Sequence, residues 1–436
     1  MSTYRAASHR LVESFSQLEA YFVPDDPREG RMGVEWELLP VWPGGRLVSF
    51  GGRGGVGRLF GNLAAGGYGA VRERRRIIAL EPPGGGLVGL EPGAQVEMAS
   101  PPVLRLGALE THLRKTGRDL QAGAARLGFE LVPWGMAPYG GPEELPDVPK
   151  ARYALLAEHL RRTGDRGRWM MKLTASTQFA LDFLDEEHLR RMTDGALRLL
   201  PYLLAATANA PVAAGRRSGH ATLRPLVWRR TDPARCGLPA HLFSKTLSAA
   251  SLARYALGRP ALFFVRAGRW VAGDGRSFRE VLSRSGPLGP LTLDDWALHV
   301  SGLFPDLRMR AYLEVRALDS LPLPLVVGAA ALLKGLLAPH RPSSWPRLLP
   351  EPRPAETRRE LLRAARLGAA WAPVRGPRPA QVWPRLFAAA GKGLAALGER
   401  ETLLSPLEVQ VASGRCPAQE WTRGTGGLWR GPAAGL

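Results

Sequence analysis

The sequence predicts an α+β protein, an antiparallel or mixed β-sheet with helices packed against one face. Three observations carry that expectation. Short strand-like runs recur through the first three-quarters of the chain, amphipathic helical stretches alternate with them, and the C-terminal third reads as helical. The most informative runs are 33-GVEWE-37 and 91-EPGAQVEMASP-101. Glu35 and Glu37 are two apart and Glu91 and Glu97 six apart, so on extended strands each pair points to one side of a sheet. A third run, 310-RAYLEVRALD-319, adds Glu314 and, two residues on, Arg316.

Taken in order, residues 4–22 read as an amphipathic helix ended by 24-PDDPREG-30, and strand 33–39 follows. The glycine-rich stretch 44–63 comes next. Residues 76–80 and 86–99 look like two strands around a GGG turn. A helix near 104–126 repeats Leu106, Leu109, Leu113 and Leu120 on one face. Segment 169–183 is strand-like, 186–209 helical, and 220–239 a polar, Arg-rich loop. Residues 260–271 and 309–318 supply further strands, and the apolar run 321–333 reads as a buried helix, too short to span a bilayer. Two more helices follow, one over 355–370 and one after the Pro-rich break 373–379. The expected organisation is one catalytic domain over 1–436, its C-terminal portion helical from about 325.

Composition excludes several classes. The chain has 436 residues, 45% of them hydrophobic, ample for a large core. Its net charge of +20 invites a nucleic-acid reading, but only six of the 59 basic residues are lysine. The arginines are spread along the chain with Ala, Gly and Pro, and no nucleic-acid motif accompanies them, which argues against that partner. Cys236 and Cys416 cannot build a disulfide framework, and neither has zinc-site spacing. With no signal-peptide core and no membrane-length apolar run, a cytoplasmic protein, monomer or homodimer, is expected.

The acidic runs point to the chemistry. Carboxylates gathered on one apolar-flanked sheet face repel one another unless cations neutralise them, and hard, oxygen-seeking Mg²⁺ bound with nucleotide phosphates is the usual solution. Glu35, Glu37, Glu91, Glu97 and Glu314 are therefore the candidate metal ligands, with Mn²⁺ as the alternative to Mg²⁺. Arg316 shares the face of Glu314 and can fork onto a phosphate or a substrate carboxylate; together they are the candidate catalytic pair. Thr174, Ser176 and Gln178 offer polar lining on one strand face. Arg224 and Arg235 flank Trp228 in the loop at 220–239 and are candidate ligand contacts. His299 is read equally as a helix-face residue or a site residue. The rival motif is 52-GRGGVG-57, which fits a dinucleotide fingerprint after 46-RLVSF-50. The segment after it, 58–71, carries four more glycines, and Glu73 is the nearest acidic candidate for a ribose ligand, so the match reads as accidental.

Together these segments resemble the glutamate–cysteine ligase family, in its plant and proteobacterial type and the related actinobacterial ligases of ergothioneine synthesis. The blocks that carry the resemblance fall in the family's order. They are GVEWE at 33, EPGAQVE at 91, PWGMAPY at 133, PKARY at 149 and MMKLTASTQFALDF at 170. RPLVWRRTDPARCG at 224, YALGRPALFFV at 255, FPDLRMRAYLEVRALDSLP at 304 and SPLEVQVASGRCPAQ at 405 complete the set. The resemblance implies the antiparallel-sheet fold shared with glutamine synthetase, with a funnel-shaped site for ATP and divalent metals. It implies that glutamate attacks the γ-phosphate of ATP to give a γ-glutamyl phosphate, from which the amine of cysteine then displaces phosphate. The family places Asn two residues after the Gln matched by Gln178, where this chain has Ala180. That departure favours the alternative, a ligase of the same fold joining glutamate to a different amine.

Overall fold

Alternation along β1 (Met32–Val41) organises the molecule. Val34, Trp36 and Leu38 are buried on one face, and Glu35 and Glu37 occupy the other. The computed structural model describes residues 10–73, 75–283 and 288–435. Among them a nine-stranded antiparallel sheet is completed by β2 (Gly69–Glu73), β3 (Arg76–Glu81), β4 (Leu87–Leu90), β5 (Val96–Ala99), β6 (Glu130–Val132), β7 (Ser176–Leu181), β8 (Leu307–Met309) and β9 (Leu313–Asp319). The spatial order is β8-β9-β7-β1-β5-β4-β3-β2, with β6 pairing the far end of β1. The expected α+β class with an antiparallel sheet is what the chain forms.

Helices Leu106–Ala125, Glu186–Thr207 and Leu323–Leu337 pack against strands β5, β9 and β7. Trp36 is fully buried and its indole N–H donates to the carbonyl of Leu321 at 2.9 Å, fastening the central strand to the turn before the last of these helices. A contiguous apolar core includes side chains from Leu18 to Trp421. Among the described residues no helix is long and apolar enough to cross a membrane. Helix Leu323–Leu337 approaches helix Pro379–Ala396 so closely that a Cβ on Gly393 would stand 1.8 Å from the carbonyl oxygen of Gly335.

Several elements differ from the sequence expectations, each for a local reason. The helix expected over 4–22 is found only at Phe15–Ala20, because Ser14 is extended and the Gln17 side chain accepts its N–H; residues 4–9 lie outside the described residues. The strand expected over 86–99 is two strands, interrupted by a turn at 91–95 in which Ala94 is left-handed (φ 70°). Residues 167–173, which overlap the expected strand 169–183, are helical, since Trp, Met, Lys and Leu suit a helix and alternation begins only past Thr174. The expected loop 220–239 contains the helix Arg224–Arg229, opened by Pro225 in its first turn. The strand expected over 260–271 is a hairpin, Phe263–Arg266 with Arg269–Ala272, turned by left-handed Ala267 and Gly268. Residues 46–50 form no strand, and helix Val56–Ala65 leads into an antiparallel strand, so GRGGVG has no βαβ context.

The Gly335–Gly393 contact yields a first test. Gly393→Ala forces two helix backbones apart and is expected to destabilise the protein by about 1–3 kcal/mol. Urea unfolding measures it; an unchanged midpoint contradicts the close packing.

Candidate active site

Register brings the acidic residues together. Glu37 on β1 stands directly opposite Glu97 on β5, and Glu35 stands opposite Gln178 on β7. Opposed residues of an antiparallel pair share a face, so Glu35, Glu37, Glu97 and Gln178 point the same way. Glu91 arrives by a different route from the one its spacing suggests. It lies in the turn after β4, where its N–H donates to the carbonyl of Gln95 at 2.9 Å and its own carbonyl accepts from Ala94. The Gln95 side chain accepts from the N–H of Gly93 and donates to the carbonyls of Met171 and Thr174. This turn is pressed onto the helix Gly167–Leu173, for a Cβ on Gly93 would meet the carbonyl oxygen of Lys172 at 2.4 Å. Glu35, Glu37, Glu91, Glu97, Thr174, Gln178 and Arg316 line one small cavity of about 40 Å³, walled by Trp228 and Phe304. Glu35 and Gln178 also line a neighbouring cavity of about 510 Å³, together with Glu314, Ala180 and Tyr312.

Glu37 is the electrostatic centre. Its carboxylate accepts from the N–H of Ser176 at 2.7 Å, the hydroxyl of Ser176 at 2.9 Å and the amide of Gln178 at 3.1 Å. Burial, then the charges of Glu91 and Glu97, push its pKa up to about 8, against the pull of Arg224 and the Ser176 hydrogen bond. Arg316 donates to the Gln178 carbonyl oxygen and to Glu314 at 3.3 Å. It leaves the regular ladder at a β-bulge between Val315 and Leu318, its own N–H donating to the carbonyl of Asp306.

Several residues expected in the site have other surroundings. Glu314 does not join the other four carboxylates as an open ligand: Arg308 at 2.5 Å, Arg316 at 3.3 Å and Arg310 at 3.9 Å enclose it. Burial works to raise its pKa, but these three guanidinium groups hold it at about 2. Arg224 donates to the carbonyls of Ala317 and Arg316 at 2.9 and 3.0 Å, so it pins the bulge that presents Arg316. Arg235 is fully buried on Asp232 at 3.0 Å and the carbonyl of Pro260, a structural ion pair rather than an open ligand contact. Thr174 spends its hydroxyl on the carbonyl of Met170. His299 is a core histidine, bonded to the carbonyl of Ala256 at 2.8 Å and stacked on Trp296, with burial lowering its pKa to about 3.

Sequence reasoning passes over Lys150, Gln95 and Arg308. Lys150 is buried at the start of helix Ala151–Thr163, and its ammonium donates to the carbonyl of Leu90 at 2.7 Å, beside Glu91. Tyr153 donates to that carbonyl as well, at 2.6 Å. The signal is present in the block PKARY at 149, a basic cluster at a helix start. Nothing local in the sequence marks Arg308, whose role depends on β8 pairing with β9 and placing it opposite Glu314.

The donor set suits a hard divalent cation, four carboxylates lining one cavity with a proton held on Glu37 by burial and like charge. As the side chains stand, no group of three acidic, His or Cys residues among those described is closed around a point where an ion sits.

The fold is shared with a solved ligase. The glutamate–cysteine ligase of Francisella tularensis, in complex with AMP, superposes with a TM-score of 0.51 at 10% identity, over 89% of this chain and 83% of that chain. The chain belongs to the glutamate-cysteine ligase family 2 (GCS2), which its residues 31–435 match. The chloroplastic glutamate–cysteine ligase of Nicotiana tabacum is 30% identical over 272 residues, 61% of this chain and 52% of that protein. That of Arabidopsis thaliana is 30% identical over 270 residues, with the same shares. The chain thus spans about half the length of the curated relatives it matches.

The raised Glu37 pKa sets a pH dependence. A carboxyl whose folded pKa lies above its unfolded value contributes stability below the unfolded pKa and loses it as pH rises through the folded one. In chelator, thermal stability is expected to fall between about pH 4.5 and 8, the range the two values bound. Glu37→Gln is expected to flatten that fall; an identical slope in the variant contradicts the shared charge.

Proposed function

We propose that this protein is an ATP-dependent glutamate–cysteine ligase that forms γ-glutamylcysteine through a γ-glutamyl phosphate. The single observation that carries the reading is the shared cavity of Glu35, Glu37, Glu91 and Glu97 facing Arg316 and Gln178, within a chain of this family. The AMP in the Francisella ligase supports a nucleotide on the same fold.

The chemistry brings two anions together, a carboxylate and a triphosphate, so charge neutralisation and positioning are the main demands. Glu35, Glu37, Glu91 and Glu97 would hold Mg²⁺, or Mn²⁺, which when bound neutralises phosphate charge. Arg316 supplies the guanidinium fork for a phosphate or the glutamate carboxylate, and Glu314 with Arg308 fixes its plane. Arg224 holds the bulge from behind through two carbonyls, so the fork is aimed before substrate arrives. Gln178 links Arg316 to Glu37 and keeps the positive and negative walls in register. Ser176 fixes Glu37 by two hydrogen bonds. Trp228 and Phe304, edge to face at 5.9 Å, close the cavity against water.

A second acceptor stays open on one observation. Ala180 lines the larger cavity beside Glu35 and Glu314, leaving a short apolar side chain where the family has an amide. That change favours an acceptor amine other than cysteine. Cytoplasmic action and a monomeric or homodimeric state are proposed with the activity, the two cysteines being free thiols.

Phosphate release from ATP and Mg²⁺ with glutamate, scanned over cysteine and a panel of amines, tests the reading. Release that depends on cysteine, with the mass of γ-glutamylcysteine as product, is expected; release with another amine only moves the assignment to the sister activity. No release with any amine overturns both. Glu35→Gln and Arg316→Lys are each expected to lower kcat about 100-fold or more with the thermal midpoint nearly unchanged. Wild-type rates in either variant contradict that residue's role.

A further inference from the structure

A large cavity lies outside the carboxylate cluster. It has a volume of about 990 Å³ and is lined by helix Arg224–Arg229, the segment 233–241, helix Ala249–Leu257 and helix Pro354–Leu367. Its charge is strongly one-sided. Arg224, Arg229, Arg254, Arg259, Arg358 and Arg359 line it, and Asp306 is the one acidic lining residue among those described. Burial raises the carboxyl of Asp306 to about 6, and when ionised it supplies a single negative charge against the six arginines. Arg229, Arg254 and Arg359 form no ion pair among the described residues, although the same protein pairs many of its other arginines at distances under 3.5 Å. Such an arrangement repels itself in the absence of an anion, and a cleft lined by one sign of charge concentrates the opposite sign.

One wall is aromatic. The His241 and Tyr255 rings lie 4.0 Å apart, Arg259 stands over the Tyr255 ring at 4.7 Å, and Trp228 borders the cavity as well. His241 is kept neutral by burial, its pKa lowered to about 4, so it adds ring surface and no charge. The volume is that of a small-molecule site, and far exceeds what a single phosphate or a cysteine fills.

We propose that this cavity is a second anion site, built for the oxyanions of a small polyphosphate. Guanidinium forks match phosphate oxygens bidentately, and several arginines around one volume suit several phosphate groups on one ligand. The phosphates come either from an inorganic polyphosphate or from a nucleotide whose base rests on the Tyr255–His241 wall. Trp228 borders both this cavity and the carboxylate cavity, so an occupant here touches a wall of the candidate active site. The proposal stands independently of the ligase reading, since it concerns binding and not turnover.

Calorimetric titration of the full chain with inorganic tripolyphosphate, at low ionic strength and in chelator, tests it. Chelation removes any cation that would draw the ligand to the carboxylates. Saturable binding is expected, weakened by added salt. Arg254→Glu and Arg359→Glu, both exposed helix positions whose reversal spares the fold, are each expected to weaken it about tenfold or more. Arg229→Glu is a third such position. ADP binding more tightly than tripolyphosphate, and losing affinity in the same variants, identifies a nucleotide; equal or weaker binding identifies the phosphates alone, and both results uphold the site. No binding to the wild type overturns the proposal. Binding that the three reversals leave intact but Arg316→Lys weakens also overturns it, by placing the anion in the carboxylate cavity.

Discussion

Like charge held on one sheet face is the constraint on which the rest of the molecule depends. Antiparallel pairing sets Glu37 against Glu97 and adds Glu35 two residues away, and the turn after β4 brings Glu91 alongside. Buried carboxylates in such numbers are unfavourable unless something carries the opposite charge, so the surrounding structure is organised around compensation. Part of it is internal, as a proton on Glu37, hydrogen bonds from Ser176 and Gln178, and the ammonium of Lys150 beside Glu91. In the proposed ligase a bound cation would add to this compensation.

A second charge system, of opposite bias, faces the first. Arg308, Arg310 and Arg316 surround the single carboxylate of Glu314, leaving a net positive wall on β8 and β9. Gln178 is the link between the two, its amide on Glu37 and its carbonyl oxygen on Arg316. In the proposed ligase an anionic substrate entering between these walls would meet donors on one side and the proposed cation ligands on the other. Buried, paired groups do not reorient when charge develops, which is how preorganised electrostatics lowers a phosphoryl-transfer barrier.

Much of this arrangement is legible in the sequence. The period-2 alternation of GVEWE defines both faces of the central strand, and helices 106–125, 186–207 and 323–337 follow from apolar spacing and length. Glu91 reads as the strand partner of Glu97, although a left-handed Ala94 and the Gln95 side chain place it by a turn. The sequence hides pairing at long range. Whether Glu314 binds a cation or three arginines depends on β8 lying against β9, and whether Arg224 binds substrate or backbone depends on the bulge it supports. The helix 167–173 reads as strand because its Met and Leu residues are compatible with either element, and only packing decides.

The most direct measurement is a calorimetric titration of the protein with Mg²⁺ near pH 7, repeated in buffers of different ionisation enthalpy. A cation that enters the cluster displaces the proton that burial and like charge hold on Glu37, so binding should release close to one proton, and Glu37→Gln should abolish the release. Binding without proton release, or no binding at all, would contradict the claim that these carboxylates are gathered to hold a cation.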